Sequence, residues 1–282
     1  MHALGVDVGG GRVTLVMVDG EGRVTGRDSG TPESLAGGGS LGERRPDVVG
    51  VALDFAASDG FAGFGVEGGP EPHMCSAGAA AVIAEEWVGA ARGAQHAVCL
   101  FIGDRVLAGI LLDGKPWSGA HDLAGSAAWL ALNPVERQDY RTFGSFAAEV
   151  SGKGIARRLS WRIQAGDHSA VLERAGDLES ITAQHAFDGA RTGDGVSISV
   201  VRDTARYVGM AVANLAATLD PEVVVLAGAI AAAGDLLLDP VRQECTRRLP
   251  PGMADKVRID ISPLGDDGVA IGAARLAMLA SQ

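Results

Sequence analysis

Near the start of the chain, an acidic residue and a run of glycines occupy positions where they could bind phosphate. Asp7 precedes Gly9, Gly10, Gly11 and Arg12, and valine-rich apolar residues flank the run on both sides. Glycines let backbone N–H groups approach a phosphate closely, because no side chain stands in the way. The same residues could instead form a plain glycine hairpin that Asp7 caps. The pattern leaves both interpretations open.

The apolar runs around these glycines predict the strands that must position them. Residues 3–19 predict two strands joined by the glycine turn, followed by a polar turn at Glu21 and Gly22. Residues 28–45 are rich in Gly, Ser and Pro and predict a surface loop. The run DVVGVAL at 47–53 then predicts a buried strand.

Helical and extended patterns alternate along the rest of the chain. Apolar residues recur at helical spacing within 76–91, which predicts a well-packed helix ending near Ala91. The later predicted elements are strands at 97–102 and 106–112 with a turn at Asp113 and Gly114, a helix over 146–163, a helix over 196–218, a strand over 221–228, a helix over 234–249, a strand VRIDIS and a closing helix over 269–279. Such alternation indicates an α/β protein with a mostly parallel sheet that is covered by helices.

Composition limits the class of protein and its partners. With 282 residues, 47% of them hydrophobic, the chain is long enough for two lobes, and its 41 glycines with only 5% aromatic residues predict close backbone packing. A net charge of −11 repels nucleic acid and anionic membranes. The segment before the first predicted strand is too short for a helix-turn-helix domain. We therefore expect no nucleic acid and no membrane partner.

The cysteines and apolar runs indicate a compartment. Cys75, Cys99 and Cys245 are widely separated and predict ordinary buried thiols, with no disulfide framework or zinc knuckle. No signal-peptide pattern and no apolar run long enough to span a bilayer is present in the sequence. We expect a cytoplasmic protein.

Three longer segments together resemble the ROK family of ATP-dependent sugar kinases, as a degenerate, glucokinase-like member. They are VDVGGGRVTLVMVD, LDPEVVVLAGAIAAAGDLLLDPVR and LGDDGVAIGAARLA, in the family's order and spacing. The resemblance implies a two-lobed actin-like ATPase (ribonuclease H-like) α/β fold with mixed sheets covered by helices. It predicts an N-terminal lobe over 1–95 and a C-terminal lobe over 96–282, with the last helix able to pack back on the first lobe. It also implies a homodimer.

On the nucleotide side, the resemblance implies partial retention of the site. Asp7 would help to hold Mg²⁺, and Gly9, Gly10, Gly11, Arg12 and Gly103 would face the phosphates of ATP. Family members usually have Thr and Lys where this chain has Gly11 and Arg12. The family's second phosphate loop, approximately GTGxGxG, corresponds here to GDRVLAG, in which Asp104 would repel a polyphosphate. A simple β-turn with Asp104 and Arg105 exposed is the alternative.

The adenosine side keeps two glycines of the resemblance. Gly228 and Gly268 would lie beside the adenosine, although Ala227 and Ala229 flank the first of them where the family often has Gly. Close packing between a strand and the following helix would explain the same glycines.

At the position where the ROK family has its catalytic base, this chain has no proton acceptor. Phosphoryl transfer to a hydroxyl needs a carboxylate that accepts the hydroxyl proton, and the family supplies it from an Asn-Asp pair. Ser76 and Ala77 stand at those two positions, and alanine cannot accept a proton. We therefore predict negligible kinase activity.

The sugar side of the resemblance is also degraded. The family's AGExGH stretch reads AGSAAW here, so that Ser126 replaces the acid and Trp129 the zinc-ligating His, while His121 persists. GCxE reads GSFA, with Ala147 at the acid. Together with Ser76, these residues form a degenerate sugar pocket, and no zinc is expected.

These losses predict a non-catalytic, pseudokinase-like binding or regulatory protein whose ligand is a small metabolite or a partner subunit. ATP and Mg²⁺ remain candidate cofactors. The alternative is an active sugar or cyclitol kinase with an unconventional base such as Asp54 or Asp59, with Glu67, His73 and His121 as further candidates. Another alternative is new, non-kinase chemistry on the same scaffold.

Overall fold

The computed structural model describes residues 1–35, 39–54 and 68–282. In chain order, the helices and strands are β1 (Ala3–Gly9), β2 (Arg12–Val18), β3 (Val24–Gly30), α1 (Gly39–Gly42), β4 (Val48–Leu53), β5 (His73–Ser76), α2 (Ala77–Trp87), β6 (Ala97–Ile102), β7 (Val106–Leu112), β8 (Lys115–Pro116), α3 (Gln138–Phe143), α4 (Ser145–Val150), α5 (Gly152–Gln164), α6 (Val171–Ala175), α7 (Ala183–Arg191), α8 (Gly195–Leu219), β9 (Val223–Ala227), α9 (Gly234–Arg248), α10 (Pro251–Ala254), β10 (Arg258–Ile261) and α11 (Gly268–Ala280). None of the helices in these ranges is both long and apolar enough to cross a membrane.

The chain forms two compact units. Unit 1 consists of Met1–Phe101, Leu107–Gly125 and Ser262–Gln282, and unit 2 of Ile102–Val106 and Ser126–Ile261. The described strands form two five-stranded mixed sheets, which confirms the predicted α/β class. The strand patterns over 3–19 and the closing helix are confirmed as well.

The first sheet, in unit 1, has the order β3-β2-β1-β4-β5. The β1, β2 and β3 strands run antiparallel, whereas β4 pairs in parallel with both β1 and β5. Alternate residues of β1 point to opposite faces. Leu4, Val6 and Val8 belong to one buried cluster, while Ala3 packs in a second cluster with Ala270 and Ala274 of α11.

Glycines allow α11 to lie directly on this sheet. A Cβ added to Gly5 in β1 would stand 1.8 Å from the carbonyl oxygen of Ala270. A Cβ added to Gly272 in α11 would stand 1.7 Å from the carbonyl oxygen of Ala80 in α2. No side chain fits at either position, so the prediction of close backbone packing is confirmed.

The predicted loop over 28–45 is partly wrong. β3 continues to Gly30 and α1 forms one helical turn at 39–42. β3 has few residues of high strand propensity, but its backbone groups bond to the neighbouring β2, and this pairing outweighs the local preference.

Two predicted helices also have different ends. The helix predicted over 76–91 ends at Trp87. The helix predicted over 146–163 is two helices, because Ser151 has extended backbone angles and its hydroxyl caps α5 by accepting from the Gly154 N–H.

Unit 2 is mainly helical. α8 packs against α7, α9 and α5, and α4 packs against α5. β9 and β10 pair in parallel, with Val223 opposite Arg258. Gly209 of α8 has the close contact with α9 that a small residue permits, since an added Cβ would lie 2.6 Å from Cβ of Glu244.

Candidate functional site

The carboxyl ends of three parallel strands bring several predicted residues together in unit 1. β1 ends at Gly9, β4 at Leu53 and β5 at Ser76. The register places Val8 opposite Leu53 and Leu53 opposite Ser76. Open α/β sheets bind ligands at this edge of parallel strands. The glycine turn and the start of α2 therefore lie at the same edge.

The glycine turn is a two-residue hairpin connection. Gly9 pairs with Arg12, and Gly10 and Gly11 have φ angles of +64° and +78°, which non-glycine residues rarely adopt. A Cβ on Gly11 would meet nothing within 4 Å, so the turn projects into open space. The Arg12 guanidinium donates to the Ser29 hydroxyl at 2.8 Å. The turn leaves its backbone exposed to an anion.

Asp7 lies on the helix-covered face of the sheet, two residues before the end of β1. It is 9% exposed. The register aligns Asp7 with Ala52 and Ala52 with Cys75, which places the carboxylate and the thiol in one row across the sheet. Burial and the negative charge of Asp7 raise the pKa of the Cys75 thiol to about 12. Asp7 is a carboxylate of the kind that holds Mg²⁺.

Ser76 and Ala77 stand at the start of α2. The Ser76 hydroxyl accepts a hydrogen bond of 3.1 Å from the Ala79 N–H and so caps the helix. Ala77 is the first residue of the helix and is 1% exposed. The position that the ROK resemblance assigns to the proton acceptor is therefore filled by a packed methyl group.

Of the predicted substitute bases that lie within the described residues, one is at this edge. Asp54 directly follows β4, whose last residue, Leu53, pairs with Ser76. His73 pairs with Gly50 at the other end of β5, about 10 Å from Ser76 at the usual strand rise. His121 is exposed. The remaining candidates, Asp59 and Glu67, lie outside the described residues.

The second predicted phosphate loop is a short turn whose backbone is already engaged. The buried Gly103 donates its N–H to the Arg105 carbonyl at 2.9 Å, and its carbonyl accepts from the Gly152 N–H at 3.0 Å. Asp104 is exposed and Arg105 is half-buried. Neither backbone group of Gly103 is directed to a phosphate.

Gly109, the other glycine of this stretch, lies inside β7. A Cβ there would stand 2.0 Å from the carbonyl oxygen of Gly78 in α2. The absence of a side chain at Gly109 thus allows α2 to pack closely on β7.

The two predicted adenosine-side glycines have different surroundings. Gly228 follows β9 with φ +78° and ψ −162°, a region that is essentially restricted to glycine. Gly268 begins α11 with ordinary helical angles, and a Cβ there would be 3.5 Å from the nearest atom, in Leu264. The preceding Asp267 is buried and pairs with Arg27. Only Gly228 has a backbone that demands glycine.

The residues predicted for the sugar side are largely exposed. Ser126 and His121 are exposed, and Trp129 is 57% exposed at the end of the short helical turn Ala127–Trp129. Ala147, at the family's acid position, is buried in α4. Within the described ranges, no group of three or more His, Cys, Asp or Glu side chains could hold a metal ion.

Sequence reasoning missed the buried carboxylate of Glu85 in α2. Glu85 is 2% exposed. It accepts hydrogen bonds from the Ser262 hydroxyl and, at 2.8 Å, from the Ala90 N–H. Burial raises its pKa, against the opposing effect of these bonds. Glu85 fixes the turn after α2 to the segment before α11.

A cluster of charges in unit 2 was also missed. Arg137 donates to Asp139 and, at 3.0 Å, to Glu149, while Arg157 pairs with Asp139 at 2.8 Å. Arg158 approaches Glu149 at 3.6 Å. The partners come from α4, α5 and the start of α3, and only the dense arginines of VERQDYR and ARRLSWR hinted at them.

The centre of this cluster is Glu149, which is 2% exposed. The Tyr140 hydroxyl donates to it. Burial, together with this hydrogen bond, raises the pKa of Tyr140 to about 12. The Trp161 ring lies 5.2 Å from the Arg137 guanidinium and 4.8 Å from that of Arg157. Charge and aromatic contacts thus order the segment that leads into α3.

Comparison with known proteins identifies the family. The sequence model of the ROK family matches residues 76–279. The chain belongs to the ROK family. A ROK glucokinase from Streptomyces griseus, solved in complex with glucose and AMPPNP, superposes with a TM-score of 0.83 at 23% identity, covering 99% of this chain and 100% of that one. The fold is therefore that of the ROK sugar kinases, as the sequence predicted.

Curated relatives of this ROK chain include both kinases and regulators. A glucokinase from Halalkalibacterium halodurans is 31% identical over 194 residues, which are 68% of this chain and 59% of the relative. A xylose repressor from Caldicellulosiruptor bescii is 24% identical over 199 residues, which are 68% of this chain and 48% of the relative. The chain therefore matches less than two thirds of the length of these relatives.

Proposed function

We propose that this ROK chain no longer phosphorylates a sugar and acts as a binding or regulatory protein for a small metabolite or a partner subunit. The observation that carries the proposal is Ala77. It begins α2 at the carboxyl edge of the parallel strands and is 1% exposed. Loss of a proton acceptor alone costs about 10² to 10⁴ in rate.

The phosphate loops support the same proposal. The first turn, with exposed Gly10 and Gly11, and the nearby Asp7 could still face a phosphate and Mg²⁺. The second loop does not fit, because the backbone of Gly103 is bonded internally and the exposed Asp104 would oppose a polyphosphate. We therefore propose that ATP with Mg²⁺ binds weakly and is not positioned for transfer.

The relatives are compatible with a non-catalytic role. The Streptomyces griseus glucokinase was solved in complex with glucose and AMPPNP, so a sugar and a nucleotide are the ligands to try first. One of the relatives is a xylose repressor, so the relatives of this chain include a protein named for regulation. The exposed Ser126 and Trp129 offer this chain no acidic group for a sugar hydroxyl.

The deciding experiment measures ADP release with ATP, Mg²⁺ and a panel of hexoses. A typical enzyme turns over at about 10 s⁻¹, and the loss of one proton acceptor lowers that rate to about 10⁻³ to 10⁻¹ s⁻¹. We therefore expect this chain to remain below about 10⁻¹ s⁻¹. The Halalkalibacterium halodurans glucokinase, run in parallel, verifies the assay. Turnover near 1 s⁻¹ would refute the proposal.

A catalytic alternative has one observation in its favour, which is the position of Asp54 beside Ser76 at the same sheet edge. If Asp54 is a substitute base, the chain turns over and Asp54→Asn abolishes turnover. Asp47→Asn is the matched control, because Asp47 precedes the other end of β4 and accepts from the His2 N–H. Equal activity of the two variants would exclude Asp54 as the base.

Two further measurements complete the proposal. Thermal unfolding with and without ATP and Mg²⁺ reports binding independently of turnover, because a ligand of the folded state raises the apparent stability. Sedimentation equilibrium tests the proposed homodimer.

A further inference from the structure

Unit 2 contains a cleft of about 450 Å³ that none of the sites above uses. It is lined by side chains from the segment before α3 and from α4, α5 and α8. The polar ones that matter here are Asn133, Arg137, Glu149, Arg158, Arg206 and Tyr207. A second cleft of about 300 Å³ shares Arg137 and Arg158 and extends past Trp161.

The cleft is richer in positive charge than the rest of this acidic chain. Arg137, Arg158 and Arg206 come from three different elements, whereas Glu149 and Asp203 are the carboxylates on its wall. Arg206 forms no strong ion pair with either carboxylate, because its contact with Asp203 is 4.0 Å long. A small anion in the cleft would meet the guanidinium groups of Arg158 on α5 and Arg206 on α8.

Glu149 repels an anion in the cleft less than a free carboxylate would, because its oxygens already have partners. Its Oε1 already accepts from Arg137 at 3.0 Å and from the Tyr140 hydroxyl. Its Oε2 lies 3.6 Å from Nε of Arg158. The carboxylate is thus largely neutralised on the side of α3.

Arg158 is a buried cation whose positive charge is only partly balanced by its neighbours. Its side chain is 12% exposed, and its Nε makes no hydrogen bond within the described residues. Its terminal nitrogen donates to the Thr204 hydroxyl, which is a neutral acceptor. Burial lowers the pKa of this guanidinium despite the nearby Glu149. A buried charge of this kind gains from an added anion.

We infer that this cleft binds a phosphate monoester of a small polyol. The donors of Arg137 already bond to Asp139 and Glu149, which leaves the guanidinium groups of Arg158 and Arg206. A phosphate presents three terminal oxygens in a tetrahedral arrangement and so can accept from these two groups on different helices and from a further donor, whereas a carboxylate presents two oxygens in one plane. The amide of Asn133 and the hydroxyl of Tyr207, which bond to each other at 3.2 Å, can exchange that bond for hydroxyl groups of the ligand. The inference does not depend on whether the chain is a kinase.

Isothermal titration calorimetry with four probes tests the inference on the full chain. The probes are glucose 6-phosphate, inorganic phosphate, glucose and succinate. We expect glucose 6-phosphate to bind with a Kd below about 1 mM, inorganic phosphate more weakly, succinate more weakly still, and glucose not at all. Absence of binding, or equal binding of glucose and its phosphate, would overturn the inference.

Two variants on the same helix locate the site. Arg206→Gln removes a rim charge whose side chain is 58% exposed, and we expect it to weaken glucose 6-phosphate binding about tenfold, as the loss of one charged hydrogen bond does. Arg202→Gln makes the same change of charge one turn earlier. The exposed Arg202 lines a neighbouring cleft that Arg206 also borders, but it does not line the proposed one, so this variant should leave the Kd unchanged. Equal weakening in both variants would indicate general charge attraction and overturn the site.

A third variant should strengthen binding of glucose 6-phosphate instead of weakening it. Glu149→Gln keeps the side-chain shape and removes the opposing charge, so we expect tighter binding of glucose 6-phosphate in the folded variant. Circular dichroism of each variant confirms folding before titration. Weaker binding to a folded Glu149→Gln variant would contradict the inference, and if that variant does not fold, the pair of arginine variants still decides.

Discussion

Glu85 offers the sharpest test of the architecture, because it is a buried carboxylate with two donors. In Glu85→Ala, the Ser262 hydroxyl and the Ala90 N–H lose their acceptor. Each unsatisfied buried donor costs about 1–3 kcal/mol, and the missing CH₂ costs about 0.8 kcal/mol more. We expect the free energy of unfolding to fall by about 3–7 kcal/mol.

Glu85→Gln should behave differently, because an amide can accept from the Ala90 N–H and donate to the Ser262 hydroxyl. Burial raises the pKa of Glu85 above its ordinary value of 4.5. The folded state therefore binds this proton more tightly than the unfolded state. The contribution of Glu85 to stability is fully present below pH 4.5 and is lost as the pH rises through the raised pKa. The amide variant lacks this loss, so its stability relative to the natural chain should improve with pH.

Urea unfolding followed by circular dichroism at pH 5 and pH 8 measures both effects. Glu86→Gln, at the half-buried neighbouring position, is the matched control and should change stability little at either pH. If Glu85→Ala stays within 1 kcal/mol of the natural chain, or if Glu85→Gln is as unstable as Glu85→Ala at pH 8, the buried two-donor description of Glu85 is wrong.

Two further predictions concern close contacts in unit 1. Gly272→Ala places a Cβ 1.7 Å from the carbonyl oxygen of Ala80 and should cost about 3 kcal/mol or more in urea unfolding, whereas Gly268→Ala, with 3.5 Å of room, should cost less than about 1 kcal/mol; equal losses would contradict the packing of α2 on α11. The Cys75 thiol has a pKa of about 12 and should react very slowly with iodoacetamide at pH 8. Asp7→Asn should speed this reaction, because it removes the negative charge that opposes the thiolate. An unchanged rate in a folded variant would show that Asp7 does not influence the Cys75 thiol.

The local patterns of the sequence predicted most of the elements. The hairpin from Ala3 to Val18 follows from two valine-rich runs around glycines that tolerate positive φ angles. The break at Ser151 was not predicted, because apolar spacing continues across it and a serine cap is recognised only from the backbone angles. β3 was missed because pairing with β2, which is a tertiary effect, creates it.

The candidate site could be predicted only in part. The residue pattern located Asp7 and the glycine turn, and the resemblance to the ROK family located Ala77. All three lie near the carboxyl ends of β1 and β5. The sequence did not predict that the N–H and the carbonyl of Gly103 would form hydrogen bonds with Arg105 and Gly152. Nor did it predict the cluster around Glu149, since charge pairs between separate helices leave no periodic trace.

The contact between β1 and α11 has a consequence for synthesis of the protein. Gly5 and Ala270 touch backbone to backbone although they lie near opposite ends of the chain. During translation, the sheet that contains β1 emerges from the ribosome long before α11 exists. Its apolar face then has no covering helix, and such long-range pairing slows folding and exposes intermediates to aggregation. The α11-facing side of this sheet in unit 1 therefore stays uncovered until α11 has been synthesised.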